Sequence, residues 1–243
     1  APMEALPKRA HSLNAADVDT DGWLDRPFAT DGGVSIARNR QGSFELVPVG
    51  GGPGAFVLAD LENRGRLDLI AGQQAFRNPG QTTFVPGKLP AGLREAAHLA
   101  EADFDADGRT DLAAVQPDGA VVVLRNQTKT ANRWIAVGLT GVKVARLAPG
   151  AEVEVKAGPY YQKKVYSGLP LLFGLGPATD VDTVRISWPN GLIQNQMKEA
   201  AGRTLAYREA PKLAGSCPMV FAWNGSQFQF LGDILGGGQR VEQ

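Results

Sequence analysis

Asp103-Phe104-Asp105-Ala106-Asp107-Gly108-Arg109-Thr110-Asp111 has the form D-x-D-x-D-G-x-x-D. The same nine places recur earlier as Asp17-Val18-Asp19-Thr20-Asp21-Gly22-Trp23-Leu24-Asp25. Between them stands a worn copy, Asp60-Leu61-Glu62-Asn63-Arg64-Gly65-Arg66-Leu67-Asp68. The first aspartates fall at 17, 60 and 103, a constant period of 43 residues. The registration extends beyond the loops. Alanine precedes each first aspartate (Ala16, Ala59, Ala102), and an Arg-Asn pair closes each unit (Arg38-Asn39, Arg77-Asn78, Arg125-Asn126). Each unit reads as about four short strands separated by turn residues. That period and strand count are what a β-propeller blade requires, since each blade buries its faces only against its neighbours. Helical periodicity is absent, which argues against an EF-hand although the loop begins the same way.

The loops carry the clearest chemistry. Carboxylates at places 1, 3 and 5 can converge on one centre when the backbone curls around it. Glycine at place 6 permits the sharp turn, the carbonyl of place 7 can face the same centre, and the aspartate at place 9 closes it. Such all-oxygen donors select Ca²⁺ over zinc or copper, and favour it over Mg²⁺, which demands a tighter octahedron. Two calcium sites are expected. One comprises Asp17, Asp19, Asp21, Asp25 and the Trp23 carbonyl, the other Asp103, Asp105, Asp107, Asp111 and the Arg109 carbonyl. In the middle loop Arg64 replaces the third carboxylate while Asp60, Glu62 and Asp68 remain. Its guanidinium is expected to take the metal position and neutralise these acids internally.

The 243 residues carry 25 Lys+Arg and 25 Asp+Glu, so no global field favours nucleic acid or an anionic membrane. The 30 glycines and 16 prolines suit many short strands and turns. With Cys217 as the single cysteine, no intrachain disulfide can form, and with two histidines, His11 and His98, a zinc cluster is not expected. Cys217 reads as a structural thiol. No apolar run approaches the roughly 18 residues of a membrane-spanning helix.

Beyond about residue 129 the repeat stops. Segments 134–139, 151–156, 165–172, 184–188 and 205–208 read as strands punctuated by glycine, a compact β-sandwich. Residues 220–223 and 227–230 flank Asn224-Gly225, a strong hairpin signal, and a polar, glycine-rich end follows as a linker. Gly50-Gly51-Gly52 lacks the Lys-Ser/Thr of a phosphate loop. Gly174-Leu175-Gly176 lacks the strand–turn–helix setting of a dinucleotide site, and no G-x-S-x-G elbow is present. No catalytic residues are assigned.

The loops and their flanking strands resemble FG-GAP/VCBS repeats over about residues 11–128. The following segment, 129–210, resembles the ASPIC/UnbV domain through Asn132-Arg133-Trp134, Gly150-Ala151-Glu152-Val153, Phe173-Gly174-Leu175-Gly176 and Val184-Arg185-Ile186-Ser187-Trp188-Pro189-Asn190-Gly191. Residues 211–243, with Cys217-Pro218 and Trp223-Asn224-Gly225, are similar to a segment that follows this domain in some bacterial members. The order is that of the cartilage acidic protein family and its bacterial relatives. The resemblance implies calcium binding, secretion to an extracellular or periplasmic space, protein or glycan contacts and no catalysis.

The expectation is therefore an all-β protein. It comprises a partial β-propeller of three four-stranded blades with calcium loops, a small β-sandwich-like domain and a β-hairpin tail. Its expected role is a calcium-binding protein-interaction or scaffold module within a larger assembly or longer chain, because three blades cannot close a ring. A protein partner or missing blades would cover the open sheets. The alternatives are a carbohydrate-binding module, with Trp134 and Trp188 able to stack on polysaccharide, and an accessory chain of a secreted hydrolase.

Overall fold

A computed structural model describes residues 10–80, 83–90, 93, 96–210, 219–226 and 228–233. Among them every regular element is a strand, and no helix occurs. The chain divides into two compact units, Ala1–Glu209 and Ala210–Gln243.

Three small antiparallel sheets follow one another along the first half. Sheet one runs β1 (Ser12–Leu13), β2 (Arg26–Thr30), β3 (Gly33–Arg40) and β4 (Ser43–Gly50) in sequential order. Sheet two runs β5 (Phe56–Ala59), β6 (Asp68–Ala71), β7 (Gln74–Arg77) and β8 (Val85–Pro86). Sheet three has β9 (His98–Ala102), β10 (Asp111–Val115) and β11 (Val121–Leu124), three strands rather than the expected four. The reason is legible after Leu124. Arg125 to Asn132 is a polar stretch that leads away into the next domain, with no apolar alternation to build a returning strand. Each acidic loop joins the first two strands of its sheet, and the bridge Ala16–Asp25 closes the first loop at its base.

Strand alternation sends one set of side chains to each face. Ala29, Val34 and Ile36 of sheet one meet Phe56, Leu58, Leu69 and Ala71 of sheet two in one core. The opposite face of sheet two, Val57, Ala59 and Ile70, packs on Leu112 and Ala114 of sheet three. The middle sheet is therefore apolar on both faces, which is why 56–59 and 69–71 are continuous apolar runs without alternation. The three sheets do not close a ring among the described residues.

Residues 133–208 form a sandwich of two sheets. The strands are β12 (Arg133–Thr140), β13 (Glu152–Ala157), β14 (Tyr160–Val165), β15 (Leu171–Gly176), β16 (Asp180–Ser187), β17 (Ile193–Ala200) and β18 (Arg203–Arg208). One sheet has the order β15-β12-β18, with β12 and β18 parallel, and the other β14-β13-β16-β17. Ile135, Val137, Val153, Val155, Phe173, Leu175, Val184 and Ile186 fill the space between them, with Trp188 in the same core. The single strand expected over 165–172 is instead the end of β14, a turn and the start of β15. β17 escapes a hydrophobic reading because it is an edge strand of polar residues, Gln194, Asn195, Gln196, Lys198 and Glu199 among them.

In the second unit β19 (Met219–Trp223) pairs with β20 (Phe228–Asp233) as an antiparallel hairpin. Asn224 caps its turn, accepting the Ser226 amide at 3.0 Å, and Gly225 takes φ 101°. Cys217 and the glycine-rich end lie outside the described residues.

Candidate metal centres

The three acidic loops share one backbone. Place 6 is left-handed in each, at Gly22 (φ 90°), Gly65 (φ 73°) and Gly108 (φ 82°). Place 4 is left-handed too, at Thr20 (φ 61°), Asn63 (φ 54°) and Ala106 (φ 58°), although none of these is glycine. The place-1 aspartate holds this curl by accepting two backbone amides. Asp17 takes those of Asp21 (3.1 Å) and Gly22 (3.0 Å), Asp60 those of Arg64 (2.8 Å) and Gly65 (2.6 Å), and Asp103 those of Asp107 (3.1 Å) and Gly108 (2.8 Å).

The repeated Arg-Asn pair closes the loop from outside, and sequence reading assigned it no role. The place-9 aspartate accepts the amide of its asparagine, Asp25 from Asn39 (2.8 Å), Asp68 from Asn78 (2.7 Å) and Asp111 from Asn126 (2.6 Å). The preceding arginine reaches the place-3 acid: Arg38 to Asp19 (3.1 Å), Arg77 to Glu62 (3.5 Å) and Arg125 to Asp105. The asparagine side chain then links neighbouring sheets. Asn78 Nδ2 donates to the Val18 carbonyl and Asn126 Nδ2 to the Leu61 carbonyl, both at 2.8 Å and both to place 2 of the preceding loop. Exact repetition was the signal that these residues act together.

The expected ligands come together in part. Carboxylate oxygens of Asp17, Asp19 and Asp21 lie within 4.8 Å of one another, as do those of Asp103, Asp105 and Asp111. Asp25 stands apart from its trio: one oxygen holds the Asn39 amide and the other accepts the Val18 amide at 2.9 Å. Asp107 pairs with the Arg109 guanidinium. The place-7 residues Trp23 and Arg109 donate their amides to Asp21 and Asp107, each at 2.9 Å.

The electrostatics of loop one leave room for a cation. Burial, with Asp21 and Asp25 nearby, pushes the Asp17 carboxyl up to about 7. Burial likewise raises Asp25. Asp19 engages Arg38 and Arg40 through Oδ2, while its Oδ1 is buried and accepts no hydrogen bond from the protein. Hard oxygen donors, a buried oxygen without a partner and mutually repelling carboxylates fit a divalent cation.

Loop two is filled differently. Arg64 donates to both oxygens of Asp68 (2.7 and 2.6 Å), lies 2.9 Å from Glu62, and donates to the Asn78 carbonyl at 3.2 Å. Burial alone would weaken its hold on the proton, but the Asp68 carboxylate outweighs this and raises the guanidinium further.

All three place-6 glycines face the sandwich. A Cβ on Gly22 would lie 3.2 Å from the Tyr161 ring, one on Gly65 2.9 Å from the Gly174 carbonyl, and one on Gly108 would overlap the Trp134 indole. Loop two is tied most closely. Gly176 donates its amide to the Asn63 carbonyl (2.9 Å) and Asn132 Nδ2 donates to the Glu62 carbonyl (2.8 Å). The pair Gly174-x-Gly176 thus serves close backbone approach. Farther away, Glu209 is buried and accepts the amides of Val142, Lys143 and Val144, which hold its carboxyl down at about 2 against the opposing effect of burial.

Comparison with known proteins adds one domain-level match. No curated protein matches the chain. An Agrocybe aegerita lectin, whose structure is described as recognising non-reducing terminal N-acetylglucosamine, aligns at 19% identity with a TM-score of 0.38. That alignment covers 79% of this chain and 53% of the lectin, so the chain spans about half of the lectin's length. Residues 141–214 match the family model described as ASPIC and UnbV, which places most of the sandwich in a domain of that kind.

Proposed function

We propose that this chain is a secreted, calcium-stabilised scaffold module whose three acidic-loop sheets are blades of a propeller. The blades and the ASPIC/UnbV domain would together present a surface to a protein partner. The observation that carries this reading is the convergence of Asp17, Asp19 and Asp21, and of Asp103, Asp105 and Asp111, on the rim that also seats the sandwich. A cation there would neutralise the carboxylates and fix the loops against Tyr161 and Trp134. Its role is to hold the fold, and no reaction is assigned to it. The buried place of Trp188 and the packing of Trp134 on Gly108 leave neither as an open stacking platform for polysaccharide.

Calcium titration by calorimetry tests the reading. The chain is expected to bind two equivalents, Asp105→Ala one, and Arg64→Asp three. At calcium about 1,000 times the dissociation constant, stabilisation of about 4 kcal/mol per site is expected relative to EDTA. A melting temperature indifferent to EDTA, with no calcium bound, would overturn it.

A further inference from the structure

We propose that the cleft between loop two and the sandwich binds an acidic sugar, with its carboxylate on Arg66 and Arg77 and its hydroxyls on Tyr160 and Asn132. The site goes beyond the scaffold reading and does not depend on it, because Arg64 fills the centre of loop two without a metal. Loop two supplies Arg64 and Arg66, the end of β7 and the residues after it supply Arg77 and Pro79, and the sandwich side supplies Asn132 and Tyr160. The cleft they enclose measures about 450 Å³, within the range of about 300–1,000 Å³ usual for small-ligand sites.

Charge gives the first half of the ligand. No carboxylate is among the described side chains that line the cleft. Arg64 holds both Glu62 and Asp68, and Arg77 reaches Glu62 at 3.5 Å with its side chain still 55% exposed. The third acid of the loop, Asp60, is buried and turned onto the amides of Arg64 and Gly65. Arg66 makes no ion pair among the described residues. It donates to the Pro79 carbonyl, and its guanidinium lies over Gly80, where a Cβ would overlap it. Three guanidinium groups thus share two carboxylates, and the forks of Arg66 and Arg77 keep donors for a planar oxyanion.

The neutral groups give the second half. The Tyr160 ring covers Gly65 and its hydroxyl stands over Gly176, so that a Cβ on these glycines would lie 3.2 Å from the ring and 2.5 Å from the hydroxyl. That hydroxyl has no hydrogen-bond partner among the described residues. Asn132 spends its Nδ2 on the Glu62 carbonyl and keeps Oδ1 as an acceptor. A bare sulfate has no hydrogen to give an amide oxygen, whereas a sugar hydroxyl both donates and accepts. The aromatic body and polar tip of Tyr160 suit the C–H face and hydroxyl rim of one sugar ring. A carboxylate beside hydroxyls on a ring of that size is a hexuronic acid, either free or as a residue of an acidic polysaccharide.

Saturation-transfer NMR on the full chain with glucuronate, followed by displacement with glucose or sulfate, tests this. Glucuronate is expected to bind, and glucose and sulfate each to compete at least about tenfold more weakly, since each offers only part of the contacts. Arg66→Gln should keep the melting temperature of the wild type and weaken glucuronate about tenfold or more, the share of a charge-assisted hydrogen bond. Tyr160→Phe leaves the charge in place and should weaken it about threefold to tenfold. An oligoglucuronate that binds more tightly than the monosaccharide would assign the site to a polysaccharide chain, and equal affinity would assign it to the free acid. No saturation transfer to glucuronate, displacement by sulfate at equal concentration (an adventitious ion only), or unchanged binding in both variants overturns the proposal. If calcium still binds in that case, the scaffold reading stands and only this site is lost.

Discussion

Loops one and three differ from loop two in what occupies their centre, although the backbone is the same. All three curl around a place-1 aspartate, with left-handed residues at places 4 and 6. In the outer loops the carboxylates converge, and in loop one an Asp19 oxygen is left without a protein partner. In loop two a single guanidinium bridges Glu62 and Asp68 and reaches the Asn78 carbonyl. Loop two also carries the most bonds to its surroundings, from Asn126, Asn132 and Gly176. One loop design thus meets its electrostatic problem in two ways. The middle loop is locked by an internal cation that cannot dissociate, whereas the outer loops keep converging carboxylates that, on the proposed reading, a bound cation would neutralise.

The sharpest way to break this contrast is to disturb the docking of loop two. A Cβ on Gly174 would overlap the Asp60 carboxylate and the Asn63 backbone, neither of which can swing aside. Gly174→Ala is expected to destabilise the first unit by about 3 kcal/mol, lowering the melting temperature by roughly 6–12 °C. Gly22→Ala meets only the end of the Tyr161 ring and a left-handed φ, so about 1 kcal/mol is expected. Equal losses in urea denaturation would show that loop two is held no more firmly than loop one.

The next effect separates the loops by pH. The Asp17 carboxyl, raised from 3.8 to about 7, binds its proton more tightly in the folded state. Its contribution in the metal-free protein is complete below 3.8 and is lost as pH rises through about 7. In EDTA the melting temperature should therefore fall between pH 5 and pH 8, and Asp17→Asn should flatten that fall. With calcium present the trend at loop one should reverse, because the cation requires the ionised carboxylate. Its affinity there should drop about tenfold per unit of pH below about 7. An unchanged slope in Asp17→Asn would remove Asp17 as the titrating group.

Much of this organisation was legible in the sequence. Period, loop form and the Arg64 substitution are local patterns, and local patterns survive in a sequence. Glycine at place 6 announced its left-handed φ, and the β-branched run Val121-Val122-Val123 announced a strand. What could not be read was pairing at a distance. Arg38, Arg77 and Arg125 were visible as repeated letters, but their contacts with the place-3 acids depend on how the sheet folds back on its own loop. Asn78 reaching Val18 and Gly174 approaching Asn63 join residues with no common spacing. β17 was missed for a different reason. An exposed polar edge strand owes its form to the register of β16, and its own residues carry no hydrophobic period.

The smallest expected effect tests whether place 4 is strained equally in all loops. A non-glycine residue in the left-handed region costs about 1–2 kcal/mol, and glycine there gives back about 0.5–1 kcal/mol through the freer unfolded chain. Ala106 makes no side-chain hydrogen bond to offset that strain, so Ala106→Gly should stabilise the protein by about 0.5–1 kcal/mol. Asn63 occupies the same place at nearly the same φ, but its Nδ2 donates to the Gly108 carbonyl at 2.9 Å and it is buried. Asn63→Gly would relieve the same strain while leaving that carbonyl without its donor, a loss of about 1–3 kcal/mol, so it should destabilise. Opposite signs for one substitution at one place, measured by urea denaturation in the same buffer, would show that the middle loop is held by its neighbours and the outer loop by its own turn. Stabilisation by both would mean that the Asn63 bridge contributes less than the strain it accompanies.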